Sequence, residues 1–133
     1  MRRMISIAMS TTLMVASLTG PSAAHAQTNC DMAGSPFEHV YCDAKTVVKA
    51  DDDLNIVYQK LLKLLSPAGK ASLRSYQRAW VAQRDAATTS TGSDDSPLID
   101  LRLAVKMTTA RVNFLNDRYR ECLSSGCQPS KLN

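Results

Sequence analysis

Across residues 44–65 apolar side chains recur at Val47, Leu54, Tyr58, Leu61 and Leu65, the period of one face of an α-helix. Ser66-Pro67 interrupts that pattern and opens the next one. Proline cannot continue a helix but fits its first turn, where a preceding serine hydroxyl can cap the free N–H groups. Leu73, Tyr76, Trp80 and Val81 then carry a second helix from residue 67 to about 87. Residues 88–96 are polar throughout and offer no apolar anchor, so 88–97 is predicted to be a mobile loop. Ser96 is expected to cap a third, long helix starting at Pro97, with Leu98, Leu101, Val105, Val112, Leu115 and Tyr119 on its inner stripe. No run alternates in the manner of a strand. The predicted fold class is all-α, a small bundle of three main helices with short connections and a disulfide-tied N-terminal segment.

The ends of the chain differ from this pattern. Arg2 and Arg3, a largely apolar uncharged stretch from residue 5 to 18, and Ala24-His25-Ala26 read as a signal peptide over 1–26, with cleavage before Gln27. Residues 27–133 then form a single exported domain. The residues before Cys30 lack the small side chain that lipoprotein processing requires, and no later stretch is long and apolar enough for a membrane span. Residues 27–43, with Gly34, Ser35 and Pro36, suggest an irregular lead-in containing one helical turn.

Cys30, Cys42, Cys122 and Cys127 make an even count in a small exported domain, which reads as two disulfides. Three pairings are possible. The local ones, Cys30 with Cys42 and Cys122 with Cys127, close the shortest loops and would tie down the two ends of the domain. The formal charge of +4 falls to about +2 without Arg2 and Arg3, too mild to argue for nucleic acid.

Candidate chemistry is sparse. Without His25, His39 is the sole imidazole after residue 26, three residues from Cys42, but a disulfide would consume the thiolate that a nucleophile needs. There is no CxxC, no histidine pair, and no Asp/Asn alternation of a calcium loop around Asp51-Asp52-Asp53, so neither metal nor cofactor is expected. An enzyme is not the favoured class. Gln77, Trp80 and Arg84 share one helical face, as do Asp51, Leu54 and Tyr58. A guanidinium beside the single Trp needs an acceptor, which Asp51, pairing inward with Arg84 or Arg111, would supply. Arg111 shares the inner stripe of the last helix. Asp51, Arg84, Arg111, Trp80 and Tyr58 are therefore expected to form a structural ionic cluster.

Read in order, Cys30-x-x-Ala33, Glu38-x-x-x-Cys42, Asp51-x-x-Leu54-Asn55-x-x-Tyr58, Gln77-x-x-Trp80-x-x-x-Arg84-Asp85 and Thr108-x-x-Arg111-x-x-x-Leu115 resemble the lysozyme inhibitor LprI-like family of small exported helical domains. The resemblance implies an α-helical periplasmic or cell-surface protein of a family named for a member that inhibits lysozyme; the first expectation is a periplasmic or secreted inhibitor of lysozyme-type muramidases that acts by steric occlusion through residues 88–100. Its partner would be lysozyme or, if the motif is only a scaffold for an interaction module, another cell-envelope protein. Two features depart from the family pattern. Members often carry a cysteine four residues after the motif arginine, where this chain has Thr88, and its usual partner is missing from 97–110. The chain is also net positive, whereas an inhibitor of a basic lysozyme is expected to present negative potential. Asp94, Asp95 and Asp100, in or beside the predicted loop, are the candidate partner-binding residues.

Overall fold

The structure, a computed structural model, describes residues 30–133. The expected signal peptide and its cleavage site lie outside the described residues. A 3-10 turn, Cys30–Met32, leads into helix α1, Pro36–Leu64; helix α2 spans Pro67–Thr88. Strands β1, Thr89–Thr91, and β2, Pro97–Ile99, precede helix α3, Leu101–Ser125, and a last 3-10 turn covers Pro129–Lys131. The architecture is the expected three-helix domain with one small two-stranded addition.

Helix α1 starts earlier than the sequence pattern suggests, because Ser35 and Glu38 form a reciprocal cap. The Glu38 N–H donates to Ser35 Oγ at 3.2 Å, while the Ser35 and Gly34 N–H groups donate to Glu38 Oε2 at 3.0 and 2.8 Å. Pro36 occupies the first turn, where its missing N–H costs nothing. The irregular lead-in therefore ends at Ser35. The Cys30–Cys42 disulfide ties that lead-in to the second turn of the helix.

Helices α1 and α3 run parallel. Arg102 reaches Asp43 near their starts, at 3.2 Å, and the Cys127 sulfur faces the Leu64 carbonyl near their ends. Helix α2 runs back between these ends, started by Ser66, whose hydroxyl accepts from the Gly69 N–H. The core gathers at the end where α1 meets α2: Leu54, Val57, Leu61, Leu65, Leu73, Leu115 and Leu132. Leu61, Leu73, Leu115 and Leu132 are fully buried, and burying each contributes about 1.5–3 kcal/mol. Leu132 arrives there because the chain reverses after α3. Gly126, at φ +90, takes a backbone conformation that side chains disfavour, and the Cys122–Cys127 disulfide fixes the turn.

Residues 88–100 differ from the expected loop and helix start. Thr89, Ser90 and Thr91 pair antiparallel with Ile99, Leu98 and Pro97. The β-branched threonines favour extended backbone, and the tip is closed by the Gly92 N–H donating to the Ser96 carbonyl at 2.8 Å, with Asp95 at φ 61. Ser96 does not cap α3: its N–H and hydroxyl both donate to Asp94 Oδ1 within the turn. The cap is Asp100, which accepts from the Leu103 N–H at 2.9 Å. Consequently Leu98 is exposed, and the buried stripe of α3 is Ala104, Thr108, Arg111 and Leu115. Thr88 is buried. Its hydroxyl donates to the Arg84 carbonyl, and its own carbonyl accepts from the Asp100 N–H, so hydrogen bonds close the base of the hairpin.

The N–H groups of Gly34 and Ser35 hold the Glu38 carboxyl below its ordinary value of 4.5. A lowered folded-state pKa means that the cap's contribution is present above the unfolded value and is lost as pH falls through the folded one. Protection of the Gly34 and Ser35 amides, their exchange relative to an unstructured chain at the same pH, is therefore expected to fall in acid, and Glu38→Gln, which accepts but does not titrate, to abolish that fall. Identical pH profiles for both proteins would contradict the cap's role.

Candidate functional site

The middle of the bundle carries a belt of stacked cations and rings. Arg84, on the last turns of α2, lies over the Trp80 ring with its guanidinium carbon 5.2 Å from the centroid; Arg111 of α3 lies 5.8 Å from the same centroid. Arg111 also sits 4.9 Å from the Phe114 centroid, and Arg118 5.5 Å from it. Each ring offers an electron-rich face to a cation, worth about 0.5–2 kcal/mol depending on how far the pair is desolvated.

The two central arginines find different partners. Arg84 Nη1 donates to Asp51 Oδ1 across the helices at 3.4 Å, and its Nε and Nη2 donate to Asp85 Oδ1 at 3.1 and 3.0 Å. The Asp51 side chain is 49% exposed, so this pair sits at the rim of the bundle, where water screens it, and not inside. Asn55 Nδ2 holds the other Asp51 oxygen at 3.2 Å. Arg111 does not meet Asp51. Its Nε donates to Gln77 Oε1 at 3.0 Å, and Nη2 has no acceptor among the described residues. Burial pushes its pKa down from the ordinary arginine value, although a guanidinium remains protonated. Tyr58 packs against the core and lines, with Asp51, Asn55, Gln77, Arg84 and Asp85, a groove of ≈ 620 Å³ between α1 and α2. Sequence spacing singled out Gln77 and Asp85 without giving them these partners and gave Phe114 no role, because each contact depends on the rotation of its helix.

Charge is sorted along the molecule. Residues 36–53 and 84–106 hold nine carboxylates against five basic side chains, whereas 54–83 hold five basic side chains and no acid. The fold brings the two acidic segments together: Asp43 meets Arg102, Asp51 meets Arg84, and Val47, Val48, Asp52, Ile99 and Ala104 share a groove of ≈ 540 Å³ below the hairpin. Asp94 and Asp95 project at the hairpin tip, and hydrogen bonds from the Ser96 side chain and then its backbone lower the Asp94 pKa. Asp100 lies at the hairpin base and is engaged as the α3 cap, apart from the two tip residues. Asp53 is paired with Lys49 one turn earlier on the same helix.

Cys42 is in a disulfide, which leaves exposed His39 without a thiolate, and among the described residues no group of His, Cys, Asp or Glu is placed to hold a metal ion. The fold and its surface define a small disulfide-tied helical domain with one acidic end. The family model for the lysozyme inhibitor LprI matches residues 23–115, most of the chain, and the protein belongs to that family, one of inhibitors and not of enzymes. No curated protein and no solved structure matches it. Among the described residues no helix is long and apolar enough to cross a membrane.

The contrast between the two arginines is measurable. Arg84→Ala removes a screened pair and one ring contact and is expected to cost about 1 kcal/mol. Arg111→Ala removes a buried side chain stacked between two rings and strands Gln77, for about 2–4 kcal/mol. Urea unfolding of both variants checks the order; a larger loss for Arg84→Ala would place the structural weight on the wrong arginine.

Proposed function

We propose that the protein is an exported inhibitor of a lysozyme-type muramidase that acts by steric occlusion, presenting its acidic hairpin end to the enzyme. Family membership supports the inhibitor class, and the carrying observation is the sorting of charge. A chain with a net positive total still offers a basic enzyme a locally negative surface, because 36–53 and 84–106 fold to one end. Two disulfides suit the oxidising compartment in which such an enzyme would be met. A muramidase works in a cleft around two carboxyl groups, so an inhibitor needs only to fill or cover that cleft. The hairpin suits that role. It is narrow, its tip is closed by backbone and Asp94–Ser96 hydrogen bonds, and its carboxylates face water.

The tip residues and the cap residue should separate in experiment. Asp94→Asn with Asp95→Asn removes two charges while keeping side chains that tolerate the turn, including left-handed backbone at residue 95. Lysozyme inhibition by this variant is expected to show slower association, by up to roughly tenfold at low salt, with a weaker salt dependence. Its thermal midpoint should stay near that of the wild type, since the tip buries little. Equal rates for both proteins would remove the tip from the mechanism. An absence of inhibition by wild type at excess would assign the acidic end to a different basic partner in the cell envelope.

A further inference from the structure

Helix α1 is longer than its core requires. Its second half buries Leu54, Val57 and Leu61, but its first half leaves Phe37 at 74% exposure, Tyr41 at 41% and Val48 at 61%. Single exposed apolar residues are ordinary on protein surfaces; a contiguous set is not. Positions 37, 41, 44 and 48 follow one another at intervals of four, three and four and so lie along one face of the helix. The Phe37 and Tyr41 rings stack with centroids 6.1 Å apart. Beyond them Tyr41, Ala44, Lys45, Val48, Lys49 and Asp52 line a shallow groove of ≈ 490 Å³. Val48 borders this groove and the one below the hairpin, where Ile99 stands 61% exposed, so the stripe runs on from α1 to β2.

The surroundings of the stripe identify what it fits. Lys45 lies over the Tyr41 ring and Lys49 is paired with Asp53, whereas Asp52 is exposed and Asp51, Asp85, Asp94 and Asp95 stand on the same helix or the neighbouring elements. We propose that the stripe of Phe37, Tyr41, Ala44 and Val48, continued by Ile99, is the apolar centre of a docking face for a basic protein, with the acidic side chains as its rim. The inference rests on the inhibitor reading for the identity of that protein, not for its charge or for the stripe. An apolar, aromatic centre inside a polar rim is the usual anatomy of a protein interface, and aromatic anchors carry most of the binding energy. The same charge argues against the other occupants. Two copies meeting here would bring their acidic ends together, and an anionic lipid surface would be repelled by the rim.

The test is binding by titration calorimetry and surface kinetics of the purified exported protein and of Phe37→Gln/Tyr41→Gln/Val48→Gln, with circular dichroism to check folding. The probes are a basic lysozyme and a synthetic Lys/Leu amphipathic helix. Glutamine keeps helix propensity and the three side chains lie outside the buried core, so the variant is expected to fold; should it not, Phe37→Gln and Val48→Gln singly replace it. The expected result is lysozyme binding weakened about 10–100-fold, mainly through faster dissociation, with the salt slope retained. Unchanged affinity of the variant for a lysozyme that the wild type binds overturns the docking face and leaves the inhibitor reading intact. Binding of the basic helix but not of lysozyme, lost in the variant, supports the docking face and defeats the inhibitor reading. Binding of neither probe, or a wild-type dimer in sedimentation that the variant abolishes, overturns the docking face.

Discussion

The single leucine core at one end of the α1–α3 pair is the constraint from which the rest of this structure follows. Leu54, Val57, Leu61, Leu65, Leu73, Leu115 and Leu132 must together hold three helices, and they do so where the α1–α2 turn and the folded-back tail close the bundle. The opposite end has little apolar burial beyond Cys42, Ala50 and Ala104. It is held by other means: the Cys30–Cys42 disulfide, the Ser35–Glu38 cap, the Asp43–Arg102 pair and the hydrogen-bonded base of the hairpin. A surface freed from core packing can keep carboxylates and apolar side chains in water, away from the elements that hold the fold together.

The cation and ring belt marks the boundary between these two ends. On the core side Arg111 is buried, held by Gln77 and two rings without a carboxylate. On the outer side Arg84 faces Asp51 and Asp85 at the edge of water. The belt thus lets α2 lean on both neighbours at the edge of the leucine core, and it anchors the helix end from which the hairpin departs. The residues that carry the family resemblance accordingly have separate roles. Leu54 and Leu115 pack, Glu38 caps, Cys30 and Cys42 tether, and Asp51, Gln77, Trp80, Arg84 and Arg111 set the boundary.

Much of the helical frame could be read from residue order. Ser66-Pro67 placed the start of α2 because a cap and a first-turn proline act locally, and both disulfides followed from loop closure over short separations. The start of α1 was also written locally, in Ser35-Pro36 with Glu38, but Gly34, Ser35 and Pro36 read as an irregular lead-in, and Phe37, Val40 and Tyr41, though at helical spacing, face water and not the core. The hairpin was hidden because three threonine and serine residues make too short a strand to show alternation, and because Ser96-Pro97 mimics a helix start that Asp100 in fact supplies. Spacing offered Asp51 to Arg84 and Arg111 alike; the rim position of the Asp51–Arg84 pair and the choice of Gln77 for Arg111 depend on how α2 and α3 are rotated, which no local pattern records. The sorting of charge was out of reach for the same reason: 36–53 and 84–106 are distant in sequence and adjacent only once α1 and α3 run parallel.

In the function proposed above, recognition belongs to the acidic, apolar end of the molecule and not to the basic one. Backbone amide chemical-shift mapping of the isotope-labelled protein titrated with a basic lysozyme addresses it directly. Perturbations concentrated in residues 36–53 and 88–100, with 60–78 and 118–131 unaffected, are the predicted result. Perturbations confined to the basic segments 60–78 and 118–131 would contradict the account.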